Sequence, residues 1–163
     1  MNGSRLYGVL RLRPHWMLLL IGEWFYMLLF LLCIVVAVCF GGGYGTALAL
    51  VGAAVLLLYL VIKVVHLLRL EYILTDEQLI VKSGVFSYST EYLELYRVVD
   101  YLQRRSLIEQ IVGLKTIVII SGDRNTPYLS IIGVRNDMDF VPIIRARVEN
   151  CKKIRKIYEI TNR

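Results

Sequence analysis

Residues 16–70 decide the fold: they read WMLLLIGEWFYMLLFLLCIVVAVCF (16–40), GGGYG (41–45) and TALALVGAAVLLLYLVIKVVHLLRL (46–70). Each apolar run reaches the ~20 residues that span a ~30 Å hydrocarbon core at about 1.5 Å per residue. A helix at the surface of a soluble core would carry polar residues every three or four positions, and neither run does. The sequence therefore predicts two membrane-spanning helices joined in a hairpin by a loop whose reversal needs the backbone freedom of glycine.

The first run has one other interpretation, a cleaved signal peptide, because basic residues precede it. Its apolar stretch is longer than that of a signal peptide, and no small-residue cleavage motif stands before Phe40. We therefore expect the run to be a retained transmembrane helix.

Basic residues predict the orientation of the hairpin. Arg5, Arg11 and Arg13 precede the first helix and Lys63 and Arg69 close the second, whereas the connecting loop carries no charge. By the positive-inside rule both termini lie in the cytoplasm. The loop is too short to form an extracellular receptor site, so we expect binding to occur in the membrane or on its cytoplasmic side.

The 163-residue chain divides into a basic cytoplasmic N-terminus (1–15), the transmembrane hairpin (16–70) and a cytoplasmic domain (71–163). Five basic residues and one acidic residue precede Leu70, whereas fourteen basic and twelve acidic residues follow it. The basic excess therefore concentrates at the membrane boundary, where anionic lipid explains it better than nucleic acid does.

From Glu71 the continuous apolar pattern changes to a two-residue alternation, which is typical of strands. The pattern predicts six strands, a short capped helix and a long C-terminal helix. The strands include 72–74 and 79–81 around a turn, 85–93, 97–104, 115–121 and 128–132; the helices cover 106–113 and 136 or 137 to about 160.

Four segments that follow the two apolar runs carry a resemblance: YILT (72–75), LIVKSGVF (79–86), RVVD (97–100), and SLI with GLKTI (106–117). Their order resembles the bacterial pleckstrin-homology-like (PH-like) family, the YdbS-like membrane proteins, over residues 68–148. The resemblance implies a membrane α-hairpin plus a small, mainly-β domain. That domain would be a bent, roughly seven-stranded PH-like sandwich or partly open barrel capped by a C-terminal helix.

Two further expectations follow from this resemblance. Because only six strands are predicted, we expect the segment 85–95 to divide into two. The family also implies a multi-pass protein of the bacterial cytoplasmic (inner) membrane. Gln110 and Lys115 stand where relatives carry an arginine and a glycine, so no functional site is transferred.

Glu23 is the only charged residue of the first run, and Lys63 is the first charged residue of the second. They lie about 10 Å and 9 Å from the cytoplasmic boundary at 1.5 Å per residue, so antiparallel helices place them at matching depth. A lone carboxylate in hydrocarbon is costly, which favours a structural intramembrane ion pair. In the alternative, Lys63 snorkels to the surface and Glu23 is protonated or paired with a partner subunit.

Two basic sets are candidate interaction sites. The first lies at the membrane boundary, and it forms either an ordinary interfacial belt or an anionic-lipid headgroup pocket between hairpin and domain; it comprises Arg11, Arg13, His66 and Arg69. The second lies on the C-terminal helix, and it forms either a solvated face or one that meets acidic lipid or an acidic partner; it comprises Arg145, Lys152, Lys153, Arg155 and Lys156.

The sequence carries no catalytic or metal-binding constellation. Its two histidines, His15 and His66, have no metal-ligand spacing, and no serine stands in a nucleophile motif. We therefore expect no enzyme activity and no cofactor.

Two functions from different classes remain. The first is a membrane-anchored scaffold whose PH-like domain binds a protein partner or a second copy of the chain. The alternative is a sensor of anionic phospholipid that acts through the two basic sets. In both cases the lipid bilayer is a partner and nucleic acid is not.

Overall fold

The computed structural model describes residues 8–39, 42–124 and 126–161, with side chains up to residue 155 at the C-terminal end. The helices are α1 (Met17–Cys39), α2 (Tyr44–Arg69), α3 (Leu107–Val112) and α4 (Phe140–Thr161). The strands are β1 (Leu10–Leu12), β2 (Glu71–Leu74), β3 (Gln78–Ser83), β4 (Ser89–Glu94), β5 (Val98–Arg104), β6 (Leu114–Ser121) and β7 (Tyr128–Arg135). A single 3-10 turn, Leu95–Arg97, joins β4 to β5.

Helices α1 and α2 pack against each other and are both long and apolar enough to cross a membrane. Only 0% and 6% of their most apolar windows is buried inside the protein. The core helix of a soluble protein would be mostly buried, so this exposure is what a lipid-facing pair requires.

The reversal between the helices is tighter than predicted. Helix α2 begins at Tyr44, so the last two residues of the predicted loop already belong to it. Gly42 and Gly43 adopt positive φ angles of 124° and 107°, as the predicted reversal demands. Phe40 and Gly41 lie outside the described residues.

The remaining elements form two antiparallel sheets, with strand orders β1-β2-β3-β4 and β5-β6-β7. No strand pairing joins the sheets within the described residues, so the domain is a sandwich rather than a closed barrel. Side chains from both sheets and one face of α4 fill the space between them; the fully buried ones include Leu74, Leu79, Ile117, Ile131, Phe140 and Ile144. Each such residue stabilises the fold by about 1.5–3 kcal/mol through removal of apolar surface from water.

The seventh strand is not where we expected it. Residues 85–95 do not divide into two strands: only 89–94 form β4, and 84–88 are a loop. The extra strand is β1, which precedes α1 and α2 and pairs with β2. A three-residue strand is too short to show periodicity, and its partner lies across the whole hairpin.

The two helices of the domain differ in how well their ends were predicted. Helix α3 begins at the predicted N-cap Ser106, with a complete capping box to Glu109, and ends at Gly113, whose φ is 74°. Helix α4 begins at Phe140 rather than at 136 or 137, because the chain first makes a turn in which the Met138 amide donates to the Arg135 carbonyl.

The segment between β1 and α1 is held against the end of β7. The His15 amide donates to the Gly133 carbonyl at 3.1 Å. Gly133 has a φ of 68°, and a Cβ there would lie 3.1–3.2 Å from atoms of His15, Pro14 and Leu18. Glycine at this position therefore permits the close approach that joins the hairpin to the sandwich.

Arg147 on α4 secures the other end of β1. Its side chain is buried, and its guanidinium donates to the carbonyl oxygens of Leu74 at 2.9 Å and Gly8 at 2.8 Å. The guanidinium thus satisfies two carbonyls beside the paired strands β1 and β2. One of them, that of Gly8, lies 139 residues from Arg147 in the sequence.

These connections give the sandwich two ends. The proximal end adjoins the helices and contains the loop 84–88, α3 and the end of β7. The distal end contains the turn 75–78, the 3-10 turn 95–97 and the connection between β6 and β7. The longest strands have eight residues, so the ends are roughly 20–25 Å apart at about 3.3 Å per residue.

Candidate functional site

A polar cluster lies inside the helical hairpin. Lys63 Nζ lies 2.9 Å from Glu23 Oε1, and the Tyr59 hydroxyl donates to Glu23 Oε2 at 3.0 Å. The ammonium of Lys63 also lies 5.4 Å from the centre of the Tyr59 ring, which packs at 4.8 Å against the ring of Tyr26. Both carboxylate oxygens of Glu23 therefore have a partner on α2.

This cluster explains how a carboxylate can be held in an apolar helix pair. The Glu23 side chain is only 12% exposed, whereas that of Lys63 is 43% exposed, so the acid is enclosed and the base reaches outward. Moving one helix by a turn would separate the enclosed Glu23 carboxylate from both of these partners, which is costly for a buried charge. The cluster thus opposes slippage of α1 along α2.

Sequence reasoning had paired Glu23 with Lys63 but missed Tyr59. A signal was present, since Tyr59 precedes Lys63 by four residues and so shares its helix face.

The four boundary residues do not form one site. Arg69, the last residue of α2, donates to the Val85 carbonyl at 3.2 Å, and Arg13 lies 3.7 Å from the Glu71 carboxylate. His66 is exposed on α2, and Arg11 lies within β1, about 7 Å farther along the strand from the helices than Arg13. These contacts join the ends of the hairpin to the sandwich.

A cavity of about 400 Å³ does lie between the N-terminal segment and the end of β7. Of the four boundary residues only Arg13 lines it, beside His15 and Tyr72. Its other cation, Arg135, is paired with Asp137 at 3.0 Å. The four boundary residues therefore do not line this cavity together.

The basic set on α4 is largely engaged within the domain. Lys152 Nζ donates to the Val98 carbonyl at 2.8 Å, and the guanidiniums of Arg155 and Arg145 lie over tyrosine rings, at 3.5 Å from Tyr96 and 5.9 Å from Tyr101. Lys153 is exposed, and the side chain of Lys156 lies outside the described residues.

Two members of this basic set, Lys152 and Arg155, lie near the distal end of the sandwich. Val98 and Tyr96 belong to the distal end, and the Cys151 thiol next to them donates to the Asp76 carbonyl in the distal turn. Lys152 and Arg155 therefore lie at the end of the sandwich opposite to α1 and α2, roughly one strand length from the proximal end.

A second cavity, of about 420 Å³, opens at this distal end between α4 and the turn after β4. Its lining includes two acidic residues, Glu77 and Glu94, and the Tyr96 ring, over which the Arg155 guanidinium lies. The residues that line it are Glu77, Gln78, Glu94, Tyr96, Cys151, Ile154 and Arg155.

Two edge strands flank the distal connection 95–97. Strand β4 ends one sheet and β5 ends the other, and no partner strand covers either outer edge within the described part of the chain. Tyr92 on β4, and Val99 and Leu102 on β5, are all exposed. Exposed edges with apolar side chains are the usual templates for strand addition.

The model of the family described as "Bacterial PH domain" matches residues 20–159, which include most of both long helices and most of the sandwich. The chain belongs to the bacterial PH domain family. The resemblance seen in the sequence is thereby confirmed. No curated protein and no solved structure matches the chain.

In this bacterial PH domain protein, two partly buried groups, the Tyr101 hydroxyl and the Cys151 thiol, have raised pKa values. Burial raises the pKa of the Tyr101 hydroxyl to about 12 and, together with Glu77 and Asp76, raises the pKa of the Cys151 thiol. Both groups are therefore protonated at neutral pH. Among the described residues, no group of histidine, cysteine and acidic side chains could hold a metal ion.

Proposed function

We propose that this protein is a non-enzymatic, membrane-anchored interaction module. Its helical hairpin spans the bacterial cytoplasmic membrane with both termini inside, and its PH domain binds a protein partner or a second copy of the chain at the cytoplasmic face. The membership of the family supports a module for protein or lipid interaction, and the finer assignment rests on the surfaces described above.

The anchoring part of the proposal is supported by the exposure of α1 and α2 together with their internal ion pair. Apolar side chains face outward along both helices, and the one carboxylate is neutralised inside. The boundary arginines and the uncharged loop favour a cytoplasmic PH domain by the positive-inside rule.

The edge of β5 is the observation that carries the protein-binding part. Val99 is 70% exposed and Leu102 is 39% exposed on a strand that ends its sheet. A partner strand that paired there would extend the β5-β6-β7 sheet and lie beside both apolar side chains. Because its first residue lies at the distal end, this edge is accessible to a cytoplasmic protein.

The test uses the full chain expressed in its native membrane, crosslinked and purified. We expect either a defined partner or a dimer, and we expect the double variant Val99→Glu with Leu102→Glu to lower its yield roughly tenfold, since two new charges would be buried against the partner. Tyr128→Glu is the matched control because Tyr128 is equally exposed, on β7. A wild-type chain that crosslinks to nothing, or a complex that survives the double variant, would contradict the proposal.

Binding of anionic phospholipid by the basic C-terminal helix ranks second. Lys152 and Arg155 lie at the distal end and already contact the Val98 carbonyl and the Tyr96 ring. Such a surface would meet a second membrane rather than its own. Flotation of the full chain in neutral nanodiscs with phosphatidylglycerol vesicles tests this directly, and salt-sensitive binding that is lost in Lys152→Gln with Arg155→Gln would raise this function to first place.

A further inference from the structure

Helix α3 exposes an apolar face and turns a polar residue toward the rest of the domain, which is the reverse of the usual arrangement. Leu107 is 78% exposed and Ile111 is 85% exposed, and their four-residue spacing places them on one face. Glu109, on the other side, accepts hydrogen bonds from the Thr116 hydroxyl at 2.8 Å and the Ser106 amide at 2.7 Å. A surface helix of a soluble domain turns its apolar face inward, so the exposed face of α3 needs an apolar environment.

This reversed face lies beside the point where the hairpin leaves the domain. Helix α3 contacts α1. Met17, the first residue of α1, lines the same cavity, of about 600 Å³, as Val112 at the end of α3. Trp16, a residue type typical of membrane interfaces, is exposed next to it.

A second apolar projection lies beside the other helix. Phe86, in the loop 84–88, is 90% exposed. The loop is tied to the end of α2 by the hydrogen bond from Arg69 to the Val85 carbonyl. Each of the two membrane helices therefore has an exposed apolar side chain of the sandwich next to its cytoplasmic end.

We propose that Phe86 and the Leu107–Ile111 face insert into the interfacial layer of the bilayer and dock the PH domain on the membrane. The occupant is lipid rather than protein because both projections lie at the proximal end, where they continue the apolar surface of α1 and α2. Apolar side chains of this kind anchor interfacial helices. The hairpin, Phe86 and the Leu107–Ile111 face then attach the domain to the membrane at three points. These points hold the domain in one orientation, with its distal end toward the cytoplasm. This inference rests on the membrane-spanning hairpin of the proposed function.

The test places a single environment-sensitive fluorophore on the full chain in phosphatidylcholine vesicles. The background carries Cys33→Ala, Cys39→Ala and Cys151→Ser, the last to retain a donor to Asp76. Single cysteines are then introduced by Phe86→Cys, Ile111→Cys, Leu28→Cys in the middle of α1, and Tyr128→Cys at the start of β7. Tyr128 is 69% exposed at the distal end and is the matched control.

We expect a nitroxide-labelled lipid to quench the fluorophore at positions 28, 86 and 111 roughly twofold or more, and aqueous iodide to quench it only at position 128. The vesicles are neutral, so attraction to anionic lipid cannot produce this result. Leu107→Cys tests the same face of α3 if Ile111→Cys does not fold.

Three other outcomes would overturn the inference, and they can be told apart. If position 28 is not quenched by lipid, the hairpin does not span the bilayer and the proposed anchoring fails as well. If only position 28 is quenched by lipid and iodide reaches 86 and 111, anchoring stands and docking fails. If 86 and 111 resist both quenchers, a protein such as a second copy covers them instead of lipid.

Discussion

The hairpin and the sandwich are built inside out with respect to each other. In the hairpin the carboxylate of Glu23 is enclosed, and many leucine and valine side chains face outward. In the sandwich Phe140 and Ile144 are fully buried, and most charged side chains lie outside, although Lys115 and Arg147 are buried. The hairpin thus encloses a polar group and exposes apolar ones, which suits an apolar surrounding, whereas the sandwich has the apolar interior that water favours.

The largest effect is expected from breaking the ion pair between Glu23 and Lys63 inside the hairpin. Lys63→Met leaves the Glu23 carboxylate with Tyr59 alone, and we expect it to lower the free energy of hairpin unfolding by about 3–5 kcal/mol. Unfolding in a mixed detergent, followed by circular dichroism, measures this value.

The double variant Glu23→Gln with Lys63→Met is the control for this experiment. Because it removes both charges, it is expected to be more stable than Lys63→Met alone, with a coupling of roughly 1–3 kcal/mol. Purely additive losses would show that the two side chains do not interact.

In the sandwich the matching experiment removes an apolar group instead of a polar one. Ile144→Ala leaves a cavity in the core and is expected to lower the free energy of unfolding by about 2–4 kcal/mol. The neighbouring Ile143 is partly exposed, so Ile143→Ala should cost less than about 1 kcal/mol. Equal losses in chemical denaturation would mean that α4 does not pack as described.

Gly133 sharpens the comparison because it lies where the two regions meet. Gly133→Ala imposes a positive φ on alanine and presses its Cβ against the His15 amide, so we expect a loss of about 1–2 kcal/mol. Hydrogen exchange should show faster exchange at His15 while the β5–β6 pairing keeps its protection. A change spread evenly over the domain would contradict this local role.

The smallest expected effect concerns pH and α3. Burial by itself raises the pKa of Glu109, but the hydrogen bonds with Ser106 and Thr116 outweigh it and lower the pKa below its ordinary value of 4.5. Because the folded-state pKa is the lower one, the stabilisation is fully present above pH 4.5 and is lost as the pH falls through the folded-state pKa.

Since Glu109 is only partly buried, we expect this contribution to stay under about 1 kcal/mol. Hydrogen exchange of residues 107–112 at falling pH measures it after correction for the intrinsic exchange rate. Glu109→Gln is the control and should remove the pH dependence. An unchanged pH dependence in Glu109→Gln would assign the effect to another group.

Local signals were sufficient for much of the fold. The capping box at Ser106 and the glycine at 113 set the ends of α3 by short-range hydrogen bonds. The strand of 85–93, by contrast, was predicted from its aromatic residues, yet Phe86 and Tyr88 lie in an exposed loop. Aromatic residues favour strands and membrane interfaces alike, and sequence alone does not separate the two.

By itself, the sequence determined the two long helices, their apolar surface and the antiparallel match in depth of Glu23 with Lys63. Helix length and hydropathy are local properties. A tight loop between two helices requires them to pack antiparallel. Only the tertiary structure decided that β1 completes the sheet before the chain enters α1, and that α4 turns Lys152 and Arg155 toward Val98 and Tyr96 at the distal end. Those contacts join residues far apart in the chain, and their energy comes from burial and geometry that no short stretch of sequence records.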